Sequence, residues 1–278
     1  MNILSIVFGL TAAVVWGTGD FCGGLATRRA NVLSVMVLSQ GLGLILLTLL
    51  ALITREHAPS GADIAWGGAA GLAGLVGIGA LYTGMARGQM GVVAPVSGVI
   101  SAALPVVAGA VIQGLPNLLN VLGFVLALAG VWLISRTEHA RAQPASVLLA
   151  LLSGLGFGCF IILIAQAEHG TVFWPLAVAR VVSLLVLLGI TVARRSFQPP
   201  PQNALLPITV AGVADSGGNL FFLLAAQAGR LDVSGALASL YPAATVLLAL
   251  LLLRERLGRG QVRGMLLALI AIPLISMP

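Results

Sequence analysis

Lysine is missing altogether from this chain of 278 residues, and charged residues of every kind supply only 8% of it. A soluble domain keeps itself in water with a mixed charged surface, and so few charges cannot build one. There are only two cysteines, Cys22 and Cys159, each inside an apolar run with no histidine at ligand spacing. That excludes a disulfide framework and a cysteine-based metal centre, and leaves both as packing residues. No glycine-rich loop ending in Lys, no H-E-x-x-H and no nucleophile elbow occurs, so neither an ATPase nor a hydrolase of those types is encoded and no cofactor or metal is called for. No Lys or Arg precedes the first apolar run, MNILSIVFGLTAAVVW, so it lacks the charged start of a cleaved signal peptide and should remain as a first span.

What the chain has in quantity is hydrocarbon. Hydrophobic residues make up 59% and the mean hydropathy is +1.09, which together indicate an integral membrane protein. Ten spans are predicted: 3–27, 31–54, 64–86, 91–113, 116–135, 146–167, 172–193, 204–228, 233–253 and 259–277. The breaks between them, such as REHAPSGAD and RRSFQPPPQN, are too short for a further domain.

The net charge of +6 could suggest a nucleic-acid partner, but the arginines sit in short loops between spans. Loops after odd-numbered spans hold Arg28, Arg29, Arg87, Arg136, Arg141, Arg194, Arg195, Arg254, Arg256, Arg259 and Arg263. Loops after even-numbered spans hold only Arg55 and Arg230. Positive charge gathers on the cytoplasmic side, so the odd loops are expected inside and both termini outside.

The two halves resemble each other. A shift of 141 lays Trp16-Gly17 over Phe157-Gly158 and Gly123 over Gly264, and a shift of 140 lays Ala86 over Ala226 and Val93 over Val233. Two five-span repeats, 1–140 and 141–278, account for this. Because five is odd, the second repeat must cross the membrane in the opposite sense, an all-α architecture of two inverted repeats with a site expected between them.

The segments VVWGTGDF in the first span, PVSGVISAALPVVAGAVI in the fourth and ASLYPAATVLLALLLLRERL across the ninth resemble the EamA-type branch of the drug/metabolite transporter superfamily, over essentially the whole chain. One departure is that Glu255, near the membrane edge in repeat two, has Gly114 at the equivalent point of repeat one. Glu255 is therefore read as a structural or loop-pairing residue. The resemblance implies an inner-membrane carrier, not an enzyme, that moves a small organic metabolite by alternating access, often an amino acid or relative being exported. It also implies that spans 1, 3, 4, 6, 8 and 9 line a central cavity.

Acids inside spans are costly, about 2.5 to 3.5 kcal/mol near the middle of a helix, and so must face a cavity or a partner. There are two such acids, Asp20 and Asp215. Asp20 shares a helical face with Trp16, and Asp215 with Asn219, both at a spacing of four. They are candidates for substrate binding and for coupling to protons. Tyr82, Ser97, Ser101, Ser239 and Tyr241 offer hydroxyls on the expected lining spans, while Phe157 and Cys159 are weaker candidates. Arg180 lies in the seventh span, which is expected to be peripheral. It is read chiefly as the partner of a structural acid, and Gln40, near its repeat-equivalent point, is judged likewise. Pro95, Pro105 and Pro242 interrupt backbone hydrogen bonding and are candidate gating points. Gly67, Gly71 and Gly74 form a small-residue face for close helix packing. Two other readings remain open: efflux of hydrophobic cations, and a membrane scaffold that moves nothing. The partners expected are a small solute, the lipid bilayer and protons, with no nucleic acid.

Overall fold

In hydrocarbon every backbone N–H and C=O must find its partner within the segment, so an apolar chain of this kind resolves into helices. The computed structural model describes residues 2–87, 90–135, 144–253 and 258–277. Arg136, Arg141, Arg254, Glu255 and Arg256 lie outside the described residues, as does the side chain of Pro95. Eleven helices occur among them: α1 (Ile3–Thr27), α2 (Val32–Ile53), α3 (Gly61–Ala86), α4 (Met90–Gln113), α5 (Leu118–Ser135), α6 (Pro144–Ile164), α7 (Phe173–Ala193), α8 (Gln202–Ala228), α9 (Leu231–Ala238), α10 (Tyr241–Leu253) and α11 (Arg259–Ile275). Eight apolar stretches are long enough to cross a membrane, one of them running through both α9 and α10, and α5 supplies a shorter one over Leu118–Ile134.

The ninth expected span is the one that differs in kind. It is broken into α9 and α10 at Ser239–Leu240. Pro242 brings no N–H to the carbonyl one turn earlier, and the Ser239 hydroxyl donates to Ala236 O at 2.7 Å, competing with the helical ladder. Proline alone does not suffice. α4 passes Pro105 without a break, and Pro207 and Pro273 lie inside α8 and α11.

Packing follows the repeat. α1 lies against α8 as α6 lies against α3, while α2 pairs with α7 and α5 with α11. Glycines set the closest approaches. A Cβ on Gly67 would meet the Pro175 backbone, one on Gly71 the Ala179 backbone, and one on Gly74 the Phe160 ring, so the expected small-residue face lets α3 close on α7 and α6. α2 and α7 also end alike. Arg55 and Arg195, 140 residues apart, take positive φ values of 54° and 47°, and the next amides, of Glu56 and Ser196, donate back to Ala51 O and Thr191 O at 3.0 and 3.1 Å.

Candidate functional site

Where the helices cannot close completely they leave a cavity walled by both halves of the chain. α1 contributes Trp16 and Asp20, α3 Tyr82, α4 Ser101, α8 Asp215 and Asn219, and the α9–α10 break Ser239 and Tyr241. The break thus brings the end of α9 and the start of α10 into the wall.

Trp16 is held in place from three sides. Its indole N–H donates to Asn219 Oδ1 at 2.9 Å, its ring stacks on Phe222 with centroids 5.8 Å apart, and it meets Tyr241 edge-on at 6.5 Å. Gly218, without a Cβ, makes room for the indole. The Asn219 carbonyl is thereby occupied, so Asn219 acts first as a positioning group for the aromatic wall.

Arg180 is paired with an acid, but neither it nor Gln40 is peripheral. Both line the cavity, and α2 and α7 are wall helices as well as the four-residue-spaced faces of α1 and α8. Arg180 Nη2 stands 2.6 Å from Asp215 Oδ2, and Arg180 Nη1 donates to Gln40 Oε1 at 2.7 Å. Gln40 and Arg180 are separated by the repeat offset of 140 and bond to each other across the interface between repeats. The guanidinium is 8% exposed and the Asp215 side chain 29%, so the acid keeps an open side toward the cavity.

Asp20 is placed differently. Among the described residues its carboxylate has no hydrogen-bond or ion-pair partner, although it lines the same cavity as Asp215. The α1 backbone comes close to α8 here, since a Cβ on Gly19 would stand 3.2 Å from the Asp215 amide. An unpaired acid inside a membrane span is the feature that most needs a ligand or a proton to explain it.

The expected hydroxyls divide. Ser101 and Ser239 reach the wall, but each donates into its own helix, to Gly98 O at 3.1 Å and Ala236 O at 2.7 Å, and so offers the cavity only acceptor capacity. Ser97 does not line the cavity. It is fully buried against α6, 2.7 Å from the Ser153 hydroxyl, and holds α4 to α6. Of the gating candidates, Pro242 sits in the first turn of α10 beside the break, whereas Pro105 packs within the unbroken α4 under Gly235. Position 95 also falls inside α4. Phe157 lines the cavity with Phe160, while Cys159 points away and is exposed, and neither cysteine is bonded.

Several polar residues that matter were not visible as such in the sequence. Glu56, in the loop after α2, accepts from the amides of Val172, Phe173 and Trp174 at 2.6, 3.1 and 2.8 Å, capping α7 from the other repeat. Asp63 accepts from Glu168 N and the Thr171 hydroxyl at 2.9 and 3.2 Å. Arg230 pairs with Asp232 at 2.7 Å and donates to the carbonyls of Gln113 and Gly114 at the end of α4. Only Ser60-x-x-Asp63 carried a local signal, that of a capping box. The structure forms that box, with Asp63 N donating to Ser60 Oγ at 3.1 Å and Ser60 N to Asp63 Oδ2 at 3.1 Å.

The model of the EamA-like transporter family matches the chain twice, over residues 3–136 and 144–277. No curated protein matches the sequence. Among solved structures, one described only as the crystal structure of a protein shares the fold at a TM-score of 0.77 and 15% identity, covering 99% of this chain and 97% of that one.

Proposed function

Because the chain belongs to the EamA-like transporter family, we propose that it is a secondary transporter that moves a small organic metabolite across the inner membrane by alternating access. In this reading the ten predicted spans form two inverted repeats, with α9 and α10 the two halves of one span. The solute is an amino acid or a related amphiphile, moved outward, and Asp20 and Asp215 couple its movement to protons. The odd-numbered loops face the cytoplasm and both termini face outward.

One observation carries the reading: a cavity walled by both repeats contains an acid, Asp20, with no partner among the described residues, beside an ion pair that is already neutral. A scaffold has no use for such a group, because an unpaired carboxylate only weakens a membrane core. The half-helix ends at Ser239 and Tyr241 lie in the wall, as expected where a pathway interrupts a span. Movement of one repeat against the other would expose the cavity to each side in turn.

Uptake by reconstituted proteoliposomes across a panel of amino acids and amines, with and without an imposed pH gradient, tests the proposal. Saturable flux that responds to the gradient is expected, and no flux for any solute would refute it. For orientation, a cysteine placed at position 2 should react with an impermeant reagent from outside and one placed at position 195 should not. The reverse pattern would overturn the assigned topology.

A further inference from the structure

The charges around the cavity do not cancel. Among the described lining residues there are two carboxylates, Asp20 and Asp215, and one guanidinium, Arg180. Arg180 and Asp215 neutralise each other at 2.6 Å, and the second guanidinium nitrogen is committed to Gln40. What remains for a solute is one carboxylate beside the fixed indole of Trp16 and the ring of Tyr241. The geometry points to an organic monocation with an apolar body, an amine without a carboxylate, as the preferred solute, with the Arg180–Asp215 pair setting that charge preference. This rests on the transport reading and, within it, selects the related amphiphile that lacks a carboxylate over the amino acid itself.

A zwitterion would meet a less favourable site than an amine does. Its ammonium group could pair with Asp20 as an amine does, and the aromatic faces attract a cation equally in either molecule. Its carboxylate, however, has no free cation to receive it, and would stand near two acids while Arg180 is held by Asp215 and Gln40. A simple amine avoids that repulsion. A dication has the converse defect, because only one acid is unpaired. Arg180 therefore acts as a specificity residue by withdrawing Asp215 from the solute.

Three molecules with the same aromatic body separate these cases: phenethylamine, phenylalanine and phenylacetate. Uptake into proteoliposomes is measured alongside quenching of tryptophan fluorescence in detergent, which reports binding without transport. A charge-assisted hydrogen bond gained or lost corresponds to roughly ten- to hundredfold in affinity. The wild-type protein should prefer phenethylamine to phenylalanine by about tenfold or more on that scale, and leave phenylacetate unbound. Asp215→Asn frees Arg180 and makes the cavity neutral, so the order should reverse in favour of phenylalanine. Arg180→Gln leaves two unpaired carboxylates and should shift preference from phenethylamine to an aryl diamine of similar length. Size-exclusion profiles establish that each variant is folded, and either variant alone is decisive.

Preference for phenylalanine in the wild type, or an unchanged order in a folded Asp215→Asn or Arg180→Gln protein, would overturn the inference and leave the transport reading standing. Binding of phenethylamine with no flux of any solute would overturn the transport reading and leave the charge preference standing. If none of the three binds or moves, the inference fails.

Discussion

Replacing Glu56 by alanine should loosen the contact between the two halves of the protein at one membrane face. The first turn of a helix exposes amides that its own backbone cannot satisfy. At α7 the residue before the helix, Val172, makes no side-chain cap, and Glu56 from the loop after α2 supplies the acceptor for three of them. Loss of a side-chain cap costs about 0.5 to 2 kcal/mol, and loss of a negative charge at a helix N-terminus roughly another 0.3 to 1 kcal/mol. Glu56 is only partly buried, so water can reach some of the freed amides and the upper end is not expected. A net loss of about 1.5 to 2 kcal/mol follows. Glu56→Gln should lose less. One carboxylate oxygen serves Val172 and Phe173 while the other serves Trp174, and glutamine retains an acceptor for only one of those sets. Unfolding in mixed micelles with rising detergent denaturant would read the stability change, and hydrogen exchange at amides 172 to 174 would localise it. A change under about 0.5 kcal/mol, the scatter of an ordinary surface substitution, with unchanged exchange at those amides, would refute the capping argument.

Two further outcomes are expected. Gly71→Ala would place its Cβ 2.8 Å from the Ala179 Cα, which forces α3 away from α7. About 1 to 3 kcal/mol of overpacking should appear in the same unfolding assay, with reduced flux because the neighbouring Arg180 moves with α7. Asp20→Asn should flatten the pH dependence of amine uptake. Binding of a cation needs the carboxylate ionised, so wild-type uptake should weaken as the cavity is acidified, and the variant should show low uptake at every pH. The titratable groups that share the cavity with Asp20 are Asp215 on α8, Arg180 on α7, Tyr82 on α3 and Tyr241 on α10. A pH profile that persists in Asp20→Asn would assign it to one of these instead.

The helices were legible because hydrocarbon leaves the backbone little choice, and nine of the ten expected spans each correspond to one helix within a few residues. The break at Ser239–Leu240 was hidden by the uninterrupted apolar run around it, since hydropathy does not register which carbonyl a serine hydroxyl takes. The wall residues on α1 and α8 followed from spacing along one helix. Ser97 and Ser101 show where that logic stops: they are four apart on α4, yet Ser97 is taken by Ser153 on α6 while Ser101 reaches the cavity. That Arg180 takes an acid as partner was legible in the sequence, but which acid it takes depends on how α7 and α8 are turned toward each other. Glu56 acts on backbone amides, which carry no side-chain signature at all.

The bond between Gln40 and Arg180 joins equivalent positions of the two halves. Residues related by the repeat meet where the pseudo-twofold axis passes, so in an assembly of two identical halves this position would face its own copy. Two arginines there would repel, and two glutamines would leave Asp215 without a cation. Only when both halves are written into one chain can an amide on one side be set against a guanidinium on the other. The fused chain is therefore what permits a single, off-centre positive charge in a scaffold built on twofold symmetry.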